Sequence, residues 1–526
     1  VSETHQDALE FFRKRWAPGT CHWVLSNPYF TEWVDEREEG STMLWLHALP
    51  ASGKSILSSF VVNHLQESVC LYYFFRFGDE SKRSLSTCLR TIAFQAAKQL
   101  PEFRRALKDT RFTTKTLEKA DPKTIWEKVF IGILFKMKFT TTMYWIIDAL
   151  DESDHPQLLL DLMQSIPRSS APIKALLVSR QTPELIETFE RLSIVVPVVY
   201  LPLDDTKKDI RTYVEMEVQY MHACTEFKSN IVEKLVSGAI GNFLWASLAL
   251  VEVKKCRTQE DLDEILEGIP SGMEQLYQRM ESSIIGSTRP RDQKLGQMIL
   301  TWAACSRRPL VLKELEQALQ PEFSVKLDLQ FTISRVCGQF VTVDSTDQLV
   351  MVHQTARDHI TTTNSALGVD VTEGHEKIFA KCLSVLEKKH QRRELDRRPN
   401  NQKVTENQEF LRYATTSWAY HLNMISPQSD APLLLLSKFL KGNSVLGWIA
   451  SLACENQLKV LVYSSKILNL YVRRKSGRYA VTNRLQDLEL FESWATDFLK
   501  ILGKFGRNLT ANPSSILYPI FNLFVF

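Results

Sequence analysis

Between residues 42 and 203, short apolar runs alternate with segments in which apolar residues return every three or four positions. The runs TMLWLHA (42–48), VCLYYFFRF (69–77), MYWIIDAL (143–150), IKALLVS (173–179) and VVPVVYL (195–201) have the length and the β-branched or aromatic content of strands. SILSSFVVNHL, the stretch from Leu85 to Leu107, and PQLLLDLMQSI carry the helical period instead. This alternation predicts an α/β fold with a largely parallel, doubly wound sheet. Strands apolar almost throughout fit a sheet sandwiched by helices.

After Leu203 the strand signal thins. Asp204 and Asp205 are expected to cap a helix over KKDIRTYVEMEVQYM, because acids suit a helix start. Helical periodicity continues through SNIVEKLVSGA, NFLWASLALVEVKK and GMEQLYQRMESSII, and STRPRDQ (287–293) reads as a linker. From LGQMILTWAACSRRPLVLKELEQAL to VHQTARDHITTT the order is helix, turn at Arg308-Pro309, helix, short strands (FVTVDS, LVMVH) and helix, which resembles a winged helix. The polar run EKKHQRRELDRRPNNQKVTENQ (387–408) reads as an exposed basic loop, and residues 409–515 as all-helical. No self-similar repeat is found. The expected division is a helical lead-in (1–18), a sheet domain (19–203), a helical domain (204–286), a winged helix (287–365) and an all-helical region (366–526).

Composition narrows the class without naming a partner. At 526 residues, with 44% hydrophobic and 24% charged, the chain has material for several globular cores. Lys and Arg number 64 against 61 Asp and Glu, a net +3, so nothing calls for nucleic acid or an anionic membrane as partner. Nine cysteines without a C-x-x-C fit reduced thiols better than a disulfide framework. The amphipathic start VSETHQDALEFFRKRW is unlike a signal peptide, and no run approaches the roughly 20 apolar residues of a membrane helix. A cytoplasmic location is expected. Cys21-His22 offers two metal ligands, with nothing nearby in sequence to complete a tetrahedral set. Trp45, Trp145, Trp245 and Trp302 lie on apolar segments and are expected in the core.

Candidate chemistry gathers at LWLHALPASGKS (44–55). A strand, a turn ending in Gly53-Lys54-Ser55 and an amphipathic helix form the context of a phosphate-binding loop. The loop residues are Pro50, Ala51, Ser52, Gly53, Lys54, Ser55 and Ile56. The main-chain N–H groups of residues 51 to 55 and the helix dipole would hold phosphates, Lys54 would reach the β- and γ-phosphates, and Ser55 would ligate Mg²⁺. The pattern G-x-x-x-x-G-K-[ST] departs at its first glycine, where Ala48 stands. If that position needs a left-handed backbone, alanine costs about 1–2 kcal/mol there. MYWIIDALDE supplies an independent signal: Asp148 ends an apolar strand and can hold the Mg²⁺ shell through water. Asp151 and Glu152 can orient an attacking water, the bland alternative being that they cap the helix near Pro156. Arg180, closing the strand LLVSR, can sense the γ-phosphate.

MYWIIDALDE, with a small residue after the metal aspartate and two further acids, resembles the Walker B segment of NACHT NTPases, members of the STAND class of signalling ATPases. GTCHWVLSNPYFTEW (19–33) followed by LWLHALPASGKS looks like the start of the fungal, nephrocystin-like NACHT subgroup. LRTIAFQ, ALLVSR, GNFLWASLAL, IPSGMEQLYQRM, RRPLVLKELEQAL and VHQTARDH continue the resemblance in order, over about residues 19–365. LRYATTSWAYHL and KFGRNLTANPSSI resemble the spacer that often precedes WD-type or other repeats. The resemblance implies a P-loop sheet of the additional-strand type, in which the Asp148 strand lies near the phosphate-loop strand without being its sequence neighbour. It implies ATP or ADP with Mg²⁺ as ligands, slow hydrolysis, a closed ADP form and an open ATP form that self-associates, in fungal innate-immunity or incompatibility-type signalling. It also implies that His353, followed by Asp358 in the pattern H-x-x-x-x-[DE], touches the ADP β-phosphate. Phe243 stands where many relatives place the proline of a G-x-P motif. The chain ends in LYPIFNLFVF with neither repeat sensor nor recognisable effector. The rival readings are a nucleotide-binding interaction scaffold without turnover and a truncated product of a longer repeat-containing protein. A nucleic-acid-dependent AAA-type motor is opposed by the near-neutral charge.

Overall fold

The structure, a computed structural model, describes residues 3–35, 42–109, 120–139, 141–191, 198–221, 224–254, 256, 258, 260–261, 263, 273–324, 328–344, 346–362, 365–396, 409–476 and 485–517. Contacts divide the chain into two compact units. The first is residues 1–280 with 353–355, and the second is 281–352 with 356–526.

The first unit is built on five parallel strands: β1 (Met43–His47), β2 (Val69–Phe74), β3 (Met143–Asp148), β4 (Ile173–Ser179) and β5 (Val198–Tyr200). Their order is β2-β3-β4-β1-β5, so β4 lies between β1 and the Asp148 strand. All five expected strands are present; residues 195–197 of the last lie outside the described set. Side chains alternate strictly between two cores. Trp45, Leu71, Tyr73, Trp145, Ile147, Ala175 and Leu177 enter one, while Leu44, Leu46, Cys70, Tyr144, Ile146, Leu176 and Val178 enter the other. Each core is closed by helices, which is why the strands read as apolar at nearly every position. The edge strand β2 is sealed by an amide: Gln95 accepts from the Tyr72 N–H at 2.8 Å and donates to the Tyr72 carbonyl at 3.0 Å, as a neighbouring strand would.

Helix α1 (Glu3–Arg13) packs through Phe12 against Phe74, and α2 (Pro28–Val34) is capped by Asn27. Helix α3 (Lys54–His64) follows the candidate loop. The helix expected over Leu85–Leu107 is two: α4 (Leu85–Gln99) and α5 (Pro101–Asp109). Leu100 between them is extended, the conformation that a following proline imposes. Next come α6 (Pro156–Met163) and α7 (Pro183–Arg191), then a helical group α8 (Leu203–Gln219), α9 (Thr225–Ala239) and α10 (Phe243–Val253). Asp204 and Asp205 are inside the first turn of α8, behind Pro202, so they face the helix dipole rather than cap it. Trp45, Trp145 and Trp245 are buried.

Helix α11 (Met273–Ser287) contains the division between the units. In the second unit α12 (Pro290–Cys305) begins inside the expected linker; Pro290 takes the first helical position, where its missing N–H costs nothing. The linker shrinks to Thr288-Arg289. Beyond the Arg308-Pro309 turn come β6 (Leu310–Val311), α13 (Leu312–Leu319), α14 (Leu329–Val336), β7 (Val341–Val343), β8 (Gln348–Met351) and α15 (Gln354–Ile360). The antiparallel order β6-β8-β7 makes the wing. Strand β6 and helix α14 were not expected from the sequence.

The remaining elements are α16 (Val371–Asp396), α17 (Glu409–Met424), α18 (Ala431–Lys441), α19 (Ser444–Cys454), α20 (Val460–Ser476) and α21 (Leu485–Ala511). Residues 387–396, expected in a basic loop, continue α16, while 397–408 lie outside the described residues. A buried polar chain crosses this unit. The Arg307 N–H donates to the Tyr413 hydroxyl, which meets His421 Nε2, and His421 Nδ1 meets His375 Nδ1, each at 2.8 Å. Burial pushes His375 down to about 4 and His421 well below its usual value, so both rings are neutral. If Tyr413 donates to Nε2, His421 must donate from Nδ1 to His375.

Helix α12 approaches α14 so closely that a Cβ on Gly296 would meet the Val336 carbonyl oxygen at 2.5 Å, whereas one on Gly503 would meet nothing within 4 Å. Gly296→Ala should destabilise by about 1–3 kcal/mol and Gly503→Ala should stabilise by about 0.5–1 kcal/mol, as read from urea denaturation midpoints.

Candidate functional site

The C-terminal ends of β1, β3 and β4 bring the sequence-predicted groups together, as the ends of parallel strands in an open α/β sheet do. The chain leaves β1 through Ala48, whose N–H donates to the Ser179 carbonyl at 3.3 Å and whose backbone is not left-handed. The penalty anticipated at Ala48 therefore does not arise. The left-handed residues of this turn are Ala51 (φ 59°) and Gly53 (φ 90°). Space is tight at Gly53 as well, since a Cβ there would meet the Phe243 ring at 3.3 Å. The Phe243 N–H donates to the Ala51 carbonyl at 2.9 Å, and Ser52 Oγ donates to the Leu49 carbonyl at 2.8 Å. These bonds close the turn between Pro50 and Gly53. No side chain caps α3, so the N–H groups of its first turn, Lys54, Ser55 and Ile56, have no side-chain acceptor at that end. The Ile56 side chain packs into the core, leaving only its main chain for a ligand.

Lys54 Nζ donates to the carbonyls of Leu49 at 2.6 Å and Ala48 at 3.2 Å. Burial pulls its pKa down to about 8, with Arg180 adding to the effect and Asp151, Asp148 and Glu152 opposing it. Asp148 is fully buried. One carboxylate oxygen accepts from Ser55 Oγ at 2.5 Å and the other from Ser58 Oγ at 2.7 Å. Desolvation nevertheless raises it to about 6 against the pull of the two hydroxyls and Lys54.

Ala149 is left-handed (φ 56°), which turns the chain sharply after Asp148 and brings two more acids back to the sheet end. Asp151 accepts from the Arg180 N–H at 2.9 Å and pairs with Arg180 Nε at 3.5 Å. Glu152 accepts from the Phe77 N–H at 2.7 Å and lies 3.9 Å from Arg180 Nη2. Burial and the Asp151 charge raise Glu152 to about 7, opposed by the Phe77 N–H and Arg180. Neither acid caps α6, where His155 is the N-cap without a side-chain bond, so the capping alternative fails. A neighbour takes that role elsewhere: Asp154 accepts from the Leu85 N–H at the start of α4.

His353 groups with the first unit, together with Gln354 and Thr355. Its Nδ1 accepts from the Thr355 N–H at 3.2 Å, and Thr355 Oγ1 meets both this Nδ1 (2.8 Å) and the Tyr277 hydroxyl (3.0 Å). Burial and the charges of Arg180 and Lys54 push its pKa down to about 4. Asp358 belongs to the second unit.

Sequence reasoning missed Ser58, the strain at Ala51 and the contact of Phe243 with the loop. A signal for the first was present: Ser55 and Ser58 are three apart on a helix and share a face.

The donor set fits a polyphosphate with a divalent cation. Among the described residues no group of three or more His, Cys, Asp or Glu could hold a metal alone, so Ser55 and Asp148 would hold one only together with phosphate oxygens and water. The first-turn N–H groups without a side-chain acceptor and an ammonium turned onto two carbonyls match the anion.

Residues 19–180 match the family described as nephrocystin 3, N-terminal, and residues 281–372 match that described as GPI inositol-deacylase, winged helix domain. No curated protein sequence matches the chain. Among solved structures, the Aeropyrum pernix ORC1 protein in complex with DNA is similar at 12% identity and TM-score 0.29, over 66% of this chain and 90% of that one. Drosophila ORC bound to DNA is similar at 11% identity and TM-score 0.23, over 68% and 97%. Likenesses of this size carry no argument about activity. The chain thus carries a nephrocystin-like N-terminal domain and, after the helical group, a winged-helix domain.

Two outcomes are expected at this site. Ala51→Gly removes about 1–2 kcal/mol of left-handed strain against about 0.5–1 kcal/mol of added chain entropy, so it should be neutral or mildly stabilising, while Ala48→Gly, at a buried position without strain, should destabilise. Denaturant titration ranks the pair. Glu152 holds its proton more tightly in the folded state than at its ordinary 4.5, so its contribution to stability falls as pH rises from about 4.5 to about 7 and is constant above. Glu152→Gln should therefore match the parent below pH 4.5 and exceed it by on the order of 2–3 kcal/mol above pH 7, in a pH series of unfolding free energies.

Proposed function

We propose that the chain is a NACHT-type STAND NTPase that binds ATP or ADP with Mg²⁺ and hydrolyses slowly as a conformational and self-associating switch. The observation that carries this reading is the contact between Ser55 at the start of α3 and Asp148 at the end of β3, beside a loop whose half-buried lysine feels the charges of three acids. Its resemblance to the fungal subgroup suggests innate-immunity or incompatibility-type signalling. Among the described residues no helix is long and apolar enough to cross a membrane. The proposed location is the cytoplasm, and nucleic acid is not a proposed partner. The proposed domains are those of the sequence reading: 19–203 for nucleotide, 204–286 helical, 287–365 winged helix, 366–526 spacer.

Bound Mg-nucleotide would supply the polyphosphate charge and the Lewis acid. The main-chain N–H groups of residues 51–56 would donate to phosphate, and Lys54 would transfer its ammonium from the Ala48 and Leu49 carbonyls to it. Ser55 and Asp148 would hold the metal shell. Glu152, poised near neutrality, suits the acceptance of a proton from an attacking water better than Asp151, whose oxygens are both engaged by Arg180. Arg180 would exchange the two acids for the γ-phosphate. His353, neutral and close to Lys54 and Arg180, would contact the ADP phosphate and hold the ADP state.

The same pairing of Arg180 with Asp151 and Glu152 favours the second reading, a scaffold that binds nucleotide without turnover. Mass spectrometry of nucleotide released from purified, denatured protein tests the first step: carried ADP or ATP supports the site, and a protein that neither carries nor binds nucleotide removes it. Single-turnover phosphate release then decides between the readings. Lys54→Ala should lose nucleotide, and Glu152→Gln should keep nucleotide while release slows by about 10²–10⁴-fold. Equal release from the parent and both variants would leave the scaffold.

A further inference from the structure

Asp148 has two carboxylate oxygens and two hydroxyl partners with different surroundings. Ser55 is partly accessible at the first turn of α3, and its Oγ is the group that the nucleotide reading shares with a cation. Ser58, one helical turn further in, is 1% exposed, and its Oγ reaches the other oxygen at 2.7 Å. It also lies 3.1 Å from the Lys54 carbonyl, but a hydroxyl has one proton and the shorter, charge-assisted contact takes it. A carboxylate turns easily about its last torsion, which has a broad two-fold profile. One hydroxyl leaves that rotation free, whereas two from the same helix face fix the plane.

We propose that Ser58 is a positioning residue of the metal–nucleotide site, holding one oxygen of Asp148 so that the other stays directed at Ser55 and the divalent cation of a nucleoside di- or triphosphate. This rests on the nucleotide reading above and adds to it a residue that touches neither metal nor phosphate. Ser55 must share its hydroxyl between carboxylate and cation; Ser58, buried away from any ligand, has no second duty. Loss of its hydroxyl orphans a buried carboxylate oxygen and frees the carboxylate to turn.

Ser59 supplies the control, being adjacent, equally buried at 1%, and carrying a hydroxyl with no hydrogen-bond partner among the described residues. The test is ADP affinity of the full chain by calorimetry, with Mg²⁺ and with EDTA, for the parent, Ser58→Ala, Ser58→Cys and Ser59→Ala. Removal of a group that orients a metal ligand should weaken the Mg²⁺-dependent affinity of both Ser58 variants about 10–100-fold and leave the EDTA affinity within about twofold, with Ser59→Ala within about twofold in both. Parental Mg²⁺ dependence in a folded Ser58 variant overturns the inference and leaves the nucleotide reading standing. Equal losses with and without metal, or failure of both variants to fold, also overturn it, because the bond is then structural. A parent chain that binds ADP under neither condition takes down both readings.

Discussion

A single buried carboxylate ties the first unit together at its working end. Strands β1 and β3 are not neighbours, because β4 lies between them. The loop that leaves β1 and the acid that ends β3 meet only because α3 crosses the sheet face and lays Ser55 and Ser58 on Asp148. Burying a carboxylate without partners is expensive enough to force its protonation, so the fold tolerates Asp148 only while those hydroxyls stay in register. The alternating cores set that register: Leu57, Val61 and Val62 of α3 pack with Leu44, Leu46 and Ile146, leaving α3 little freedom to slide. Core packing on one face and carboxylate geometry at the end of the sheet are therefore one constraint.

The charges around that carboxylate do not neutralise each other. Lys54 is pulled down to about 8, while Asp148 rises to about 6 and Glu152 to about 7, and in each case burial is the largest cause. Were mutual attraction dominant, the lysine would move up and the acids down. The cluster instead holds both signs of charge at a cost that partners inside the protein reduce without removing. A ligand carrying both signs, an anion beside Lys54 and a divalent cation beside Asp148, answers both costs together. Either alone leaves the other unmet. This inward movement of opposite pKa values distinguishes the cluster from an ordinary surface ion-pair network.

Much of this was legible in the sequence for a simple reason: a sheet covered on both faces writes itself as apolar runs. IKALLVS is read as residues 173–179 and forms β4 over the same residues. Where the reading failed, the missing information was three-dimensional or too brief to register. Strand β6 is two residues long, below the length at which alternation exists. Pro101 announced a break that helical periodicity through Leu107 overrode. The loop's departure from the motif directed attention to Ala48, but sequence spacing does not say which residue of a turn takes positive φ. The positive φ lies at Ala51, whose carbonyl accepts from the Phe243 N–H. Among the candidate site residues, Asp148 and Arg180 were nameable because they stand at or just past strand ends, and Lys54 and Ser55 because they open the helix that follows a strand, positions the hydrophobic pattern locates.

The Phe243 contact gives the loop a second listener. Asn242 caps α10 by accepting from the Trp245 N–H at 2.9 Å, which fixes where the helix starts, and the next residue meets the loop twice, through its N–H to Ala51 and its ring over Gly53. Tyr213 of α8 lies against the same ring at 6.3 Å. A change in the turn at Ala51–Gly53 must therefore either break the bond from Phe243 or carry the start of α10 with it. A ligand shifts an equilibrium only through contacts that differ between the states. A left-handed alanine, costly by itself, is held at its carbonyl by the first residue of α10. The loop after β1 and the helical group are thus joined through backbone rather than through long side chains, and backbone has few alternative positions to offer.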